Sequence, residues 1–455
     1  MDHLKAFKLK FAQIMEQIGS FEPAPFIAVG VSGGSDSLAL AYLLHLWCQE
    51  RGGQVVALSV DHKLRPEAEE EAKWVRQALL SQGIRHEILT WDFSSKPQTG
   101  IQEKAREARY RLLEGWCAQH GILHLATAHH LHDQVETFLI RLENKSTLIG
   151  LAGMPLVGER PNVRLLRPFL KFTKEDLCTI AETVYKEWVH DPSNLDLNFR
   201  RIYWRKKLET SCTPDSLENF IYFSQVCGDI RAEEQEEMAA YWVSYGTLHP
   251  MGWATLTLSP LLKLRPSASL YTLGRVLQTV GGGSYPPRGK QLQALWESLK
   301  EGVSSQKGGQ RRTLSGCVIE KRENTLRIYK EDRHMPAEIP LGEDSFPRLS
   351  PFMWDRFQVF FSPSQWESLG GKKGYLAKMG EKSWDSLSKE FKKDLKKENL
   401  RLACLTCPVV WCEGIIKMLP DFLRAYLPED ETGYEFFKTF FSPPMPLMEP
   451  PFIKS

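Results

Sequence analysis

Two short stretches of this 455-residue chain carry residue types at spacings that could do chemistry. The first is Ser32-Gly33-Gly34-Ser35-Asp36-Ser37, preceded by an apolar run from Phe26 and followed by another from Leu38 to Trp47. That order reads as strand, tight turn, helix. The two glycines open backbone torsions closed to other residues and let a ligand approach the main chain. Unpaired N–H groups at a helix start form an anion site, and a phosphate is the guest such a turn suits. Ser35 and Asp36 are the expected helix caps. No lysine closes the turn, so it is not a Lys-Ser/Thr phosphate loop, and its glycines do not fit the dinucleotide fingerprint. Asp36 either caps the helix or meets the phosphates through a metal ion, which makes it the candidate metal ligand.

The second stretch is His129-His130-Leu131-His132-Asp133-Gln134-Val135-Glu136. Asp133 and Glu136 are three residues apart and share a helix face. The spacing differs from the His-Glu-x-x-His zinc pattern. Three histidines beside two carboxylates suggest a zinc site first, which that spacing does not match, and Asp133 could simply cap a helix. On a third segment Glu103, Arg106 and Arg109 follow one another at i+3 steps, which gives either a solvated salt-bridged face or a cationic wall on a nucleotide cleft. Arg200 to Lys207 interleaves cations with Tyr203 and Trp204. That mixture suits a phosphate backbone with stacked bases, so Arg201, Arg205 and Lys206 are candidate RNA contacts, against a solvated helix face as the alternative.

These residues need a scaffold, and the apolar periodicity supplies one. Helical spacing runs from Leu4 to Ile18, Gln54 to Val60 is a strand ending in Asp61-His62, and a helix follows with Val75 and Leu79 on its buried face. Arg85 to Trp91 is a third strand, Ile101 to His120 a helix and Ile122 to Thr127 a fourth strand. Helix and strand alternating at short spacing predict an α/β fold, a parallel sheet with helices on both faces. In such sheets ligands bind beyond the carboxyl ends of the strands. Residues 215 to 300 read as helical, Arg312 to Ile319 with Thr325 to Tyr329 as a hairpin, and the Lys389 to Lys397 run as a solvated helix. Cys404, Cys407 and Cys412 read as a buried edge rather than a metal site. The expected divisions are 1–212 as a nucleotide-binding catalytic domain, 213–332 as a helical module with a hairpin, and 333–455 as a small mixed C-terminal domain.

Composition narrows the class. A net charge of +2 means that any nucleic-acid surface is local rather than global. No apolar run approaches 18 residues, so no membrane partner is expected. The N-terminus lacks a signal-peptide layout, and nine scattered cysteines suggest a reducing, cytoplasmic location. Oligomeric state stays open, with a homodimer as one option.

The Ser32–Ser37 string resembles the Ser-Gly-Gly-x-Asp-Ser pyrophosphatase loop of the N-type ATP pyrophosphatases, which have an adenine nucleotide alpha hydrolase-like fold. Thr127-Ala128-His129-His130 with Asp133, Gln134, Glu136 and Thr137 makes the likeness more specific, as does the Glu103-x-x-Arg106-x-x-Arg109-Tyr110 helix. So do Leu151-Ala152-Gly153-Met154, Leu165-Leu166-Arg167-Pro168 with Lys174 and Leu177, and Asp191-Pro192-Ser193-Asn194-Leu195-Asp196. Together, over roughly residues 24 to 210, these resemble the tRNA(Ile)-lysidine synthase family. Two stretches depart from its pattern: Glu143 to Thr147 replaces a basic Gly-Ser-Gly turn, and Ile202 stands where the family usually has Asn.

The resemblance implies ATP as co-substrate with Mg²⁺ near Asp36, and as partners L-lysine and tRNA(Ile) with a CAU anticodon. Ser32, Gly33, Gly34, Ser35, Asp36 and Ser37 would hold the triphosphate, and Asp61, His62 and His129 would lie along the nucleotide. Arg109, Asp133 and Glu136 would join Asp36 as catalytic residues. The implied reaction ligates lysine to carbon 2 of the wobble cytidine through an adenylated intermediate, releasing pyrophosphate and AMP. Another tRNA base modifier of the superfamily, such as a 2-thiolation enzyme, and a non-catalytic nucleotide- or RNA-binding relative are the alternatives.

Overall fold

The structure, a computed structural model, describes residues 2–61, 68–91, 101–160, 162–189, 200–211, 213–283, 285–301, 310–341, 352–365, 374–397, 400–427, 434–448 and 452–453. His62 and the Asp191–Asp196 signature lie outside the described residues, as do the side chains of Glu103 and Arg201. Two compact units divide the chain, one of residues 1–233 with 449–455 and one of 234–448.

The first unit is built on a six-stranded sheet. Its strands are β1 (Phe26–Gly30), β2 (Gln54–Asp61), β3 (Arg85–Thr90), β4 (His124–Ala126), β5 (Val157–Glu159) and β6 (Arg164–Leu166), in the order β3-β2-β1-β4-β6-β5. Every pairing is parallel except β5 with β6. In β1 the three middle residues are buried, the mark of a strand covered on both faces. Helices α1 (Asp2–Ile18), α2 (Ser35–Gln49), α3 (Ala68–Ser81), α4 (Ile101–Gln119), α5 (Leu131–Glu143) and α7 (Lys174–Tyr185) surround it. Helix α2 is apolar almost all round, and Leu38, Leu40, Leu43 and Leu44 are buried in the core with Phe11 and Met15 of α1 and Leu177 and Ile180 of α7. After a short helix α6 (Leu148–Leu151), the basic stretch forms α8 (Arg200–Ser211), and α9 (Pro214–Tyr245) follows.

The strand order reverses between β1 and β4. The chain leaves β1 toward β2 and β3, then returns to place β4 on the other side of β1. That reversal splays the loops after β1 and β4 apart and opens the crevice where ligands of such sheets bind. Both chemistry-bearing stretches follow these two strands.

The second unit is more β-rich than its sequence suggests. Residues 246–257 contribute β7 (Gly246–Leu248) and β8 (Ala254–Thr257) within the expected helical stretch. The expected hairpin is a meander of β9 (Gln310–Leu314), β10 (Cys317–Arg322) and β11 (Thr325–Lys330), because the first of its two strands itself turns at Ser315-Gly316, both at positive φ. These join as an antiparallel sheet ordered β7-β8-β11-β10-β9. Against it pack α10 (Leu258–Lys263), α11 (Pro266–Gly281) and α12 (Gly289–Glu301). The stretch read as helical is broken between α10 and α11, where Pro266 occupies the first turn of α11.

A seven-stranded mixed sheet follows, ordered β12-β15-β16-β17-β18-β14-β13, spanning Ile339–Leu341 (β12), Phe352–Trp354 (β13), Phe357–Phe360 (β14), Gly374–Lys378 (β15), Pro408–Cys412 (β16), Ile415–Pro420 (β17) and Glu435–Phe441 (β18). The lysine run is a helix, Lys389–Lys397, with Phe391 and Leu395 buried on one side. Cys404, Cys407 and Cys412 are all buried free thiols. Burial raises the pKa of Cys404 and pushes that of Cys407 up to about 12, away from the thiolate a metal would need.

Candidate active site

The loop after β1 is held open by its own serines. Ser32 N donates to Ser37 Oγ at 3.2 Å, and Ser37 Oγ donates to Gly34 O at 3.0 Å. Gly33 has φ +87, and a Cβ there would lie 2.7 Å from Val75 Cγ2 and 2.9 Å from Val189 Cγ2, so only glycine fits. Gly34, rather than Ser35 or Asp36, is the N-cap of α2, with extended φ and ψ and no side-chain capping bond. Ser35 and Asp36 sit in the first helical turn, which frees both side chains from capping and turns them to other partners. Beneath the loop, Ser59 Oγ donates to Val31 O at 2.8 Å and stands 2.8 Å from His86 Nε2. One hydroxyl proton serves Val31, so His86 donates through Nε2.

A lysine does close on this loop, from elsewhere in the chain. Lys174 Nζ lies 2.6 Å from Asp36 Oδ1 and 3.0 Å from Ser35 Oγ. It is the first residue of α7, whose N-terminus is a capping box. Thr173 N donates to Asp176 Oδ2 and Asp176 N to Thr173 Oγ1, both at 3.1 Å. The sequence signal was there, a Thr173-x-x-Asp176 box ahead of an apolar run, but only the fold brings it to the loop. Cys178 Sγ, one turn further on α7, is 3.8 Å from Ser35 Oγ.

Across the crevice, Thr127 Oγ1 meets His129 Nδ1 at 3.0 Å just beyond β4. His130 is the N-cap of α5: its ring accepts from His132 N, while its own N–H donates to Asp133 Oδ2 at 3.0 Å. Asp133 is therefore part of the helix cap. His130 Nε2 also lies 3.8 Å from Asp36 Oδ2 and 3.7 Å from Asp133 Oδ2, joining the two stretches. Burial lowers its pKa against the pull of both carboxylates, so the imidazole is neutral near pH 7.

Glu136 is fully buried, one helical turn beyond Asp133. Arg205 of α8 reaches it with Nε at 2.8 Å and Nη2 at 3.4 Å, and lies 3.6 Å from Asp133 Oδ1. Burial opposes the Arg205 charge, but the hydrogen bond and charge of Glu136, with the charges of Asp133 and Asp36, more than offset it and raise the pKa. Arg205, expected to face RNA, is thus ion-paired with the α5 carboxylates, while Lys206 is exposed. Among the described side chains, the carboxylates of Asp36, Asp133 and Glu136 gather here with the cations of Lys174 and Arg205.

The neighbouring segment is tied to the same helix. Gln134 donates to Met154 O and accepts from Met154 N, both at 2.7 Å. Gly153 has φ +71, and a Cβ there would press on Gln134 Oε1 at 2.7 Å. On α4, Arg106 lies over the Tyr110 ring at 5.3 Å and Arg160 over it at 4.4 Å, whereas Arg109 is exposed. Asp61, at the end of β2, is half-buried, and its carbonyl accepts from Trp91 N at 2.9 Å. Among the described residues no group of three His, Cys, Asp or Glu side chains is placed to hold a metal by itself, and no helix is long and apolar enough to cross a membrane.

A parallel sheet whose first strand opens into a Ser-Gly-Gly-Ser-Asp-Ser turn at the strand-order reversal defines an ATP-binding PP-loop protein. Residues 4–211 match the PP-loop domain family. The tRNA(Ile)-lysidine synthase of Orientia tsutsugamushi (strain Boryong) is 33% identical over 333 residues, covering 71% of this chain and 74% of that protein. Those of Wolbachia sp. subsp. Brugia malayi (strain TRS) and Wolbachia pipientis wMel are 32% and 31% identical, each covering 72% of this chain and 75% of its counterpart. The chain belongs to the tRNA(Ile)-lysidine synthase family.

Proposed function

We propose that this chain ligates L-lysine to carbon 2 of the wobble cytidine of a CAU-anticodon tRNA(Ile), using ATP. The observation that carries the reading is the apposition of the Ser32–Ser37 turn to the Asp133–Glu136–Arg205 cluster through His130. In the first step the cytidine 2-carbonyl oxygen attacks the α-phosphorus of ATP, and the bond to the bridging oxygen breaks as pyrophosphate leaves. In the second the lysine ε-nitrogen attacks carbon 2, and the former carbonyl oxygen departs on AMP.

Each group has a part. The turn and the α2 N-terminus cradle the phosphates, with Lys174 adding the positive charge that the turn itself lacks. Asp36 is one carboxylate beside a phosphate site, and Mg²⁺ is usually held by one or two carboxylates plus substrate phosphates, so the residues fit the ion. Asp36 would hold it, and it would neutralise charge on the departing diphosphate. Asp61 and His129 lie along the nucleoside.

Lysine arrives protonated, and freeing its amine at pH 7 costs roughly 4 to 5 kcal/mol. The Asp133 and Glu136 carboxylates attract that ammonium, and Asp133, 3.6 Å from Arg205 where Glu136 lies 2.8 Å from it, is the group for its proton. Exposed Arg109 serves the lysine carboxylate or the charge developing at phosphorus. Residues 1–212 form the catalytic domain in this reading, 213–332 and 333–455 hold tRNA, with Arg201 and Lys206 at the edge of the catalytic domain, and the enzyme works in the cytoplasm.

A 2-thiolation enzyme needs reactive sulfur at the ATP site. Burial pushes Cys48 and Cys117 up to about 12, and Cys178 is the one described cysteine with a contact to the loop. The deciding assay combines the protein with Mg-ATP, labelled lysine and unmodified tRNA(Ile). The reading expects pyrophosphate, AMP and tRNA-bound lysine in equal amounts. Orthophosphate with ADP, or an untouched nucleotide, would sink it.

A further inference from the structure

The second unit contains a cleft of about 420 Å³ that the catalytic reading does not use. Its walls include His249, Trp253, Thr255, Arg327, Phe422 and Tyr426. A tight turn between β7 and β8 builds the first wall: His249 N donates to Trp253 O at 2.9 Å and Gly252 N to His249 O at 2.8 Å, with Gly252 at φ +73. The turn lays the His249 imidazole flat on the Trp253 indole, 3.7 Å between centroids and 1° between planes. Behind it Trp253 stacks on Tyr329 at 5.2 Å and 20°. The column is therefore fixed from within, with its base, Tyr329, fully buried. Arg327 hydrogen-bonds the Tyr329 side chain, so the guanidinium stands beside the column. Thr255 and Arg327 are register partners across β8 and β11, so their side chains share a face of the sheet.

The chemistry of these walls selects a guest. The aromatic walls accept a planar ring, the Arg327 guanidinium accepts an anion, and none of the described residues lining the cleft is acidic. The volume falls in the range of small-ligand sites and admits one nucleotide, not a duplex. Single-stranded RNA is recognised by this combination, an unstacked base on an aromatic face with its phosphate on arginine.

The geometry points to this cleft as the seat of one unstacked nucleotide of the tRNA substrate, base against the His249–Trp253 column and phosphate at Arg327. The inference rests on the tRNA reading above and adds a recognition point outside the PP-loop unit. Two experiments on the full chain test it. Steady-state lysidine formation is measured for wild type, His249→Ala and Arg327→Met, with thermal melts to show that each variant is folded. A stacking base contributes enough that KM for tRNA should rise about tenfold or more, with kcat and the KM for ATP unchanged. Ultraviolet crosslinking of wild-type protein to tRNA, which needs no variant, should map to peptides containing residues 249–255 or 422–426.

If wild type makes no lysidine on any tRNA, the functional reading falls and takes this inference with it. If wild type is active, the inference alone is overturned by an unchanged KM for tRNA in both folded variants, or by crosslinks confined to residues 1–233. It is equally overturned if free AMP or CMP competes for the cleft while tRNA does not, which would make this a small-molecule site.

Discussion

Lys174 changes how the Gly-Gly turn works. The turn carries two glycines, three serines and an aspartate, and supplies N–H groups but no cation of its own. The ammonium comes from a residue 138 positions away, already paired with Asp36. Replacing Lys174 with Met removes a charge-assisted contact to developing phosphate charge and should slow pyrophosphate release about a hundredfold. Asp36→Asn should do at least as much, since it removes the lysine's partner and, in the proposed function, the carboxylate that would hold Mg²⁺. Quenched-flow measurement of pyrophosphate checks both, and a Lys174→Met enzyme at wild-type rate would remove the lysine from the site.

His86 offers a test under the same turn. It is almost fully buried, and burial, with the Arg76 charge, pushes its pKa down to about 4 from 6.5. Between those values the unfolded chain binds the proton that the folded one refuses. Stability therefore falls as pH drops from 6.5 to 4, by roughly 3 kcal/mol in all. Urea unfolding at pH 7, 5.5 and 4.5 should show that slope, and His86→Gln should flatten it.

The contiguous residues were legible because a single turn or helix presents them: Ser32 to Ser37, Asp133 and Glu136. Lys174 and Arg205 were not legible as partners, because the charges they meet are 138 and 69 residues away and only the sheet brings them together.

At the scale of elements, the clasp between α5 and α8 decides whether the crevice keeps its wall. Sequence made α8 a basic RNA-facing helix, and two of its four described cations, Lys206 and Lys207, are exposed with no ion pair among the described residues. Arg200 pairs with Glu143 of α5, and Arg205 with the buried Glu136. Cationic spacing alone could not separate the inward arginine from its outward neighbours, since the apolar positions of α8 are too few to set a buried face. Removing Arg205 takes a 2.8 Å ion pair from the buried Glu136 carboxylate, so Arg205→Ala should cost about 3 kcal/mol. Adding Glu136→Gln removes the buried charge and should recover part of that loss. Denaturant unfolding of the two singles and the double gives the coupling, and a double as unstable as the sum of the singles would deny it. The same limit explains the fold misreadings. β7 and β8 have three and four residues, too short for alternation to register, and the turn at Ser315-Gly316 hides inside an apolar stretch that looked like one strand.

Across the whole molecule, the parallel-sheet unit was readable from alternating helix and strand periods, whereas the second unit depends on long-range pairing that no local pattern announces. β17 and β18, for instance, pair in parallel across an intervening 3₁₀ turn. The unit boundary falls inside α9, a 32-residue helix with no strong apolar stripe, so neither a linker nor a composition shift marks it. Residues near 452 belong to the first unit despite their position in the chain. Phe452 is buried with Val135, Leu139 and Cys227, Arg231 lies over its ring at 4.7 Å, and Ile453 O accepts from Leu156 N at 3.1 Å. Gly228 leaves the ring its space, since a Cβ there would stand 2.8 Å from Phe452 Cε1. Emptying this site with Phe452→Ala should destabilise the first unit by about 3 kcal/mol. Calorimetry can assign the loss, because Mg-ATP binds and stabilises only the unit that carries the PP-loop. The transition that moves up with Mg-ATP should be the one that moves down in Phe452→Ala, with the other transition unchanged. A shift confined to the nucleotide-insensitive transition would show that this segment stabilises the other unit instead.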